Sequence, residues 1–336
     1  MHLDDLADQA FVPARASIAA GRIPGAVLGL VTRKGERVLR AAGAAQLVPI
    51  SRPLAVDTWF DLASLTKVIF TTARILTLAA EGRIDLDAPL TTAIPDLRQY
   101  DMEAAERRLT FRQCLGHQTH LPHVEPIYTY GADPQTLRTF VLQREWRAGP
   151  PVYSDINFIL LGIALERLTR LGIRDMPLPE GFSWRPDAAH TAATENCTWR
   201  GRVLVGEVHD ENCWALQGTG HAGLFGTADG VLDFAQGLLD GTGAIETVIR
   251  LMRTRIAGNR AHGWELPYAG WSGGDRCSPE TIGHTGFTGT GLWVDFEHGL
   301  AWTLLTNRVH PSRHFDSGIF VLRPATGDII SAALAA

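Results

Sequence analysis

Apolar positions along this chain follow two periods, and the change from one to the other marks its layout. A nearly unbroken apolar run from Ala26 to Val31, a polar Arg33-Lys-Gly-Glu36 step and a second run from Arg37 to Gly43 predict a β-hairpin. From Ser64 to Ala80 the period lengthens. Leu65, Val68, Ile69, Ile75, Leu76 and Ala79 fall at helical spacing and Gly82 supplies a stop, which predicts a buried helix opening with Ser64 and Lys67. A second stripe, Ile156, Ile159, Leu160, Ile163 and Leu168, has Ser154 or Asp155 as candidate N-cap and Gly172 as stop, so Tyr153 falls just before a helix start. Beyond residue 281 the short period returns in Ile282–Phe287, Gly291–Phe296 and Leu300–Thr306, the last two joined by a Glu-His-Gly turn. A closing helix is expected from Ile329 to the end.

Between about residues 83 and 260, Leu/Ala-rich helical patterns alternate with loops rich in Pro, Gly and His, without internal repeat. Strands at both ends of the chain around a helical middle predict an α/β lobe plus an all-α lobe. Residues 1–82 and 261–336 would form an antiparallel sheet flanked by helices, and 83–260 an inserted, mainly helical region. The cleft between them is the natural site.

The composition narrows the function. With 45% hydrophobic and 20% charged residues the chain is ordinary for a globular protein, and its 336 residues bury a large core. A net charge of -5 and basic residues scattered singly or in pairs, such as Arg107-Arg108, argue against a nucleic-acid partner. No apolar stretch is long enough for a membrane span, and the Met1–Gln9 segment is acidic where an export signal is basic, so a cytoplasmic location is expected. Cys114, Cys197, Cys213 and Cys277 form no C-x-x-C pair, which fits reduced thiols.

Lys34 and Lys67 are the only lysines, and Lys67 follows Ser64 by three residues. On a helix that spacing puts both side chains on one face, with the amine in reach of the hydroxyl. Desolvation in a cleft would favour the neutral amine that can take the proton of a serine nucleophile. Two further polar steps sit where the elements predict a cleft. Val152-Tyr-Ser-Asp-Ile-Asn157 opens a helix, and Gly283-His-Thr-Gly286 lies on a strand.

In this order, Ser64-Leu-Thr-Lys67, Tyr153-Ser-Asp155 and His284-Thr-Gly286 resemble the motifs of the penicillin-binding-protein and class C β-lactamase superfamily of serine hydrolases. Further segments look like the same superfamily: Phe60–Lys67, Gly206-Glu-Val-His-Asp-Glu-Asn212, Gly220-His-Ala-Gly-Leu-Phe-Gly-Thr227 and Gly283–Gly289. The likeness runs from about Ile23 to Arg308. It implies that Ser64 attacks a carbonyl, that Lys67 and Tyr153 shuttle the proton, and that water then releases the acyl group, with no metal or organic cofactor. It also implies an oxyanion hole from the backbone N–H groups of Ser64 and Phe287. Substrate would be touched by Asp155, Asn157, His284, Thr285 and Gly286. Two departures bear on substrate. His284 stands where β-lactamases of the superfamily carry Lys, which looks more like the D-peptidase and esterase branches. Asp155 stands where Asn is common, and an ionised carboxylate cannot donate to a substrate amide. The expected enzyme is therefore a serine hydrolase for an ester or a D-amino-acid-type amide or short peptide, and a poor β-lactamase.

The alternatives are a true β-lactamase, an α/β-hydrolase and a non-catalytic binder of cell-wall fragments. Gly270-Trp-Ser-Gly-Gly274 fits a G-x-S-x-G elbow with Ser272 as nucleophile, but loop-like residues flank it on both sides. His117, His120 and His123 recur every three residues, and His209-Asp-Glu211 lies near Cys213. A loop position accounts for these without a metal. A binder would need none of Ser64, Lys67 and Tyr153.

Overall fold

A computed structural model describes residues 2–147 and 149–335. The hairpin is present as β1 (Gly25–Thr32) and β2 (Arg37–Gln46), followed by a two-residue β3 (Arg52–Pro53). The C-terminal strands are β4 (Thr281–Thr285), β5 (Gly291–Asp295) and β6 (Leu300–Thr306). Together they form one six-stranded sheet in the order β3-β2-β1-β6-β5-β4. β1 joins the two chain ends: Leu28 is opposite Arg40 of β2 on one side and Leu304 of β6 on the other, both antiparallel. The apolar run in β1 is unbroken because both faces of the sheet are covered. Ala26, Leu28 and Leu30 pack with α1 (Leu3–Ala10) and the C-terminal helix, while Val27 and Val31 face the main core.

Five elements differ from expectation. α1 and α2 (Val12–Ala19) had no sequence signal strong enough to read, and they cover the outer face of the sheet. The closing helix begins ten residues earlier than expected, at Ile319, and runs to Leu334. Pro324 falls in its second turn, so only one early hydrogen bond is forfeited. The helix at Ala228–Asp240 lies in the 83–260 stretch but packs on β1 and β6. A Cβ at Gly29 of β1 would come within 2.9 Å of its Leu232. Finally, β4 ends at Thr285, so Phe287 lies in the turn that follows rather than on a strand.

The segment after Ser64 is helical from Leu65, but Lys67–Thr72 is π-helical before α-helix resumes at Ala73–Ala80. All six π-helical residues are buried. Such wide turns are rare and gather at functional sites. The second expected helix spans Asp155–Thr169, with Tyr153 and Ser154 before it. Among the described residues no helix is long and apolar enough to cross a membrane.

Candidate active site

The turn before Ser64 is held from three sides. Ala63 adopts a φ of 48°, a left-handed conformation that costs a non-glycine residue about 1–2 kcal/mol. Buried Asp61 meets that cost: one carboxylate oxygen accepts from Ala63 N at 2.8 Å and the other from His209 N at 2.7 Å. From the β4–β5 turn, Thr288 donates to the carbonyl of Asp61 (2.7 Å) and Thr290 to that of Leu62 (2.9 Å). Gly286 is required where these segments meet, because a Cβ there would lie 2.4 Å from the Leu62 carbonyl oxygen. Gly286, expected to touch substrate, thus has a packing reason as well.

Lys67 is fully buried, and its Nζ lies 2.8 Å from Ser64 Oγ, 2.8 Å from Asp155 Oδ1 and 3.2 Å from the His221 carbonyl oxygen. Tyr153 stands beside both Ser64 and Lys67: Lys67 Nζ lies 5.0 Å from the centre of its ring, and Ser64 and Lys67 each pull its pKa down. Its backbone is fixed by its neighbours. Ser154 N donates to His117 Nδ1 at 3.0 Å, the Ser154 hydroxyl donates to the Pro122 carbonyl at 2.6 Å, and Asp155 N donates to the His123 carbonyl at 3.0 Å. Asp155, in the first helical turn, sits where the helix dipole favours a carboxylate.

The electrostatics differ from expectation at Lys67. Burial alone would lower its pKa, but the Asp155 carboxylate and the Tyr153 oxygen outweigh burial and hold it above the ordinary lysine value. Lys67 is therefore an ammonium in the resting site, not the neutral amine that desolvation alone predicts. Tyr153 is raised as well, by burial and by Asp155, against the pull of Lys67.

The backbone N–H groups of Ser64 and Phe287 have no hydrogen-bond partner among the described residues. Paired donors left open at the mouth of a site suit an oxyanion. Both residues line a cleft of about 550 Å³ that also contains Tyr153, Asp155, Asp210, His284, Thr285 and Gly286. Asn157, expected at the substrate, is instead fully buried: its side-chain oxygen accepts from Thr119 Oγ1 at 2.8 Å, and its amide lies 3.3 Å from His117 Nδ1. Asp155 is turned toward Lys67.

The sequence reading assigned no role to several residues the fold brings here. Asp210 Oδ1 lies 2.9 Å from His221 Nε2 and accepts from Cys213 N at 2.7 Å. Burial opposes its charge, yet His221 and that N–H hold its carboxyl well below the usual range. Asp155, Asp210 and His221 are the one group among the described residues close enough to share a metal ion. Lys67 already occupies Asp155, however, and both ring nitrogens of His221 are engaged, the second with Thr219 Oγ1 at 2.7 Å. Arg260 lies over the Tyr153 ring at 5.1 Å and pairs with Glu265 at 2.9 Å. The signal that could have found Asp210 and His221 was their place in segments that resemble the superfamily.

His117, His120 and His123 do not converge on a metal. His117 accepts from Ser154 N, His120 faces Glu106 at 3.7 Å and His123 contacts the Tyr153 carbonyl. Ser272 lies in a turn where its hydroxyl accepts from the Trp293 indole at 3.3 Å.

The profile of the beta-lactamase family matches residues 7–324. The chain belongs to the beta-lactamase family. Membership fixes the coarse chemistry, that of a serine hydrolase, and removes the α/β-hydrolase alternative. Among curated proteins, the N-acetylmuramyl-L-alanine amidase of Bacillus subtilis (strain 168) is 28% identical, covering 87% of this chain and 79% of its own length. A putative D-alanyl-D-alanine carboxypeptidase of Salmonella agona (strain SL483) is 27% identical, covering 76% and 70%. Among solved structures, the unliganded simvastatin synthase LovD of Aspergillus terreus superposes with a TM-score of 0.75 at 19% identity, covering 99% of each chain. That last likeness concerns the beta-lactamase fold alone.

Proposed function

We propose that the protein hydrolyses an ester or a D-amino-acid-type amide or short peptide through an acyl-enzyme on Ser64, and that it is a poor β-lactamase. One observation carries the reading: Lys67 Nζ stands 2.8 Å from Ser64 Oγ beside Tyr153, in the cleft that two open backbone donors also line.

With the phenol proton of Tyr153 first lost to solvent, Ser64 Oγ bonds to the substrate carbonyl carbon as the Ser64 proton passes to the Tyr153 phenolate. The N–H groups of Ser64 and Phe287 hold the oxyanion. Tyr153 then gives the proton to the leaving group as the C–O or C–N bond breaks, and water reverses the sequence to free the acid. Because Lys67 stays charged, its part is electrostatic: it lowers the cost of the Tyr153 phenolate that must form before Tyr153 can take the Ser64 proton.

Two features support a low β-lactamase rate. His284 is buried and not a permanent cation, and Asp155 offers no N–H to an acyl amide. The amidase and putative carboxypeptidase relatives support the amide end of the range. A cytoplasmic setting is supported by the unpaired thiols of all four cysteines.

The test is intact-protein mass spectrometry after incubation with a fluorescent penicillin and, separately, a short-chain p-nitrophenyl ester, with Ser64→Ala as control. The expected result is an adduct mapped to Ser64 in the wild type alone, with fast ester turnover and a persistent penicilloyl form. Ester hydrolysis that survives Ser64→Ala would sink the proposal.

A further inference from the structure

His284 sits on the edge strand β4, is 3% exposed, and lines the cleft with its ring 5.9 Å from that of Tyr153. Its Nδ1 lies 2.9 Å from the Thr285 carbonyl oxygen. A carbonyl has no hydrogen to give, so Nδ1 carries the proton of that contact. Nε2 is buried and has no partner among the described residues. Burial, with Lys67 and Arg260 facing the ring, holds the imidazole neutral, its pKa well below the ordinary histidine value. A neutral ring protonated on Nδ1 presents a bare lone pair at Nε2. The fold thus builds a buried acceptor into the cleft and leaves it unused.

The position of that acceptor says which part of a substrate meets it. Tyr153 hands its proton to the departing group, and His284 lines the same cleft beside it, with His123 the other ring at a similar distance from Tyr153. The cations around the ring are engaged elsewhere: Arg260 with Glu265, Lys67 with Asp155, and Arg323 with the Gly286 and Thr290 carbonyls. Resting on the serine-hydrolase reading above, we infer that His284 Nε2 selects substrates whose leaving group carries a neutral hydrogen-bond donor, a hydroxyl or an amide N–H, beside the scissile bond. A carboxylate at that place meets a lone pair and is disfavoured. A lysine at position 284 would offer only donors and would reverse the preference. The substrate class is therefore an ester of a polyol or an amide with a further N–H on the departing side, rather than a chain ending in a free carboxylate next to the scissile bond.

Three acetate esters test this: 2-hydroxyethyl acetate, 2-methoxyethyl acetate and O-acetyl-D-lactate. In the wild type kcat/KM falls in that order, with about a tenfold step between the first two for one hydrogen bond to a buried acceptor. In His284→Lys the lactate ester overtakes the hydroxyethyl ester. A wild-type preference for the lactate ester, or the same ratios in His284→Lys, overturns the proposal. If the variant does not fold by circular dichroism, nitrogen NMR of the wild-type histidines decides: an unprotonated Nε2 in His284 sustains it and a protonated Nε2 overturns it. Turnover of p-nitrophenyl acetate by the wild type and its loss in Ser64→Ala report separately on the serine mechanism.

Discussion

Two serines of this chain sit in short turns among small residues, and their surroundings could hardly differ more. At Ser64 the preceding residue is forced to positive φ, the helix that follows carries a buried ammonium 2.8 Å from the hydroxyl, and a tyrosine stands beside both. At Ser272 the hydroxyl accepts from the Trp293 indole, and no base stands beside it among the described residues. The glycines around Ser272 have a plain structural cause. Gly274 has a φ of 97°, and the loop lies so close to the C-terminal helix that a Cβ at Gly327 would meet the Gly273 carbonyl oxygen at 1.8 Å. A glycine-flanked serine is what close packing produces. A strained turn with a proton acceptor beyond it is what chemistry requires.

The largest test of that contrast is the pair Ser64→Ala and Ser272→Ala. The first should cost at least about 10⁴-fold in kcat for p-nitrophenyl acetate, and the second less than about threefold. Comparable losses in both would dissolve the distinction. Next in size, Lys67→Met should lower kcat by about 10²–10⁴-fold, since it removes the charge that stabilises the transient phenolate while filling the buried space. Retained activity would move the proton path elsewhere.

Asp155→Asn sharpens the electrostatic side. The Asp155 carboxylate raises the pKa of both Lys67 and Tyr153. Activity that needs a deprotonated base rises with pH, so removing this negative charge should move the rising limb of kcat/KM to lower pH. A limb that stays in place or moves upward would show that Asp155 does not set the base. The smallest effect is expected for Ala63→Gly, which relieves the positive φ while freeing the unfolded chain. Thermal unfolding should shift by no more than about 1 kcal/mol, whereas kcat falls as the Ser64 turn loosens. A gain in kcat would mean that the strain opposes catalysis.

The parts of this molecule legible in its sequence are those set by local pattern. The hairpin, the Ser64 helix, the helix after Tyr153 and the C-terminal strands all follow from periodicity and stop residues, and a three-residue spacing put Ser64 and Lys67 on one face. What could not be read depends on distant partners. Burial alone predicts a neutral Lys67, and only the arrival of Asp155 from another helix reverses the sign. Asn157 looked as accessible as Asp155, but two residues along a helix turn it inward to Thr119. The φ of Ala63 leaves no mark on the residue type, because Asp61 and the β4–β5 turn impose it.

The central position of β1 has a consequence for how the enzyme comes into being on the ribosome. Ala26 is paired with Thr306, a residue made far later in synthesis. Until β6 emerges, the hairpin presents an open edge of Val and Leu residues, the kind of edge that joins neighbouring chains. Phe287, whose N–H opens onto the same cleft, likewise follows Ser64 by more than two hundred residues, so a polypeptide that stops short of β4 carries Ser64 without that cleft. The cleft therefore forms only once the late strands have been made, and yield in a cell should depend on how well the early hairpin is shielded while it waits.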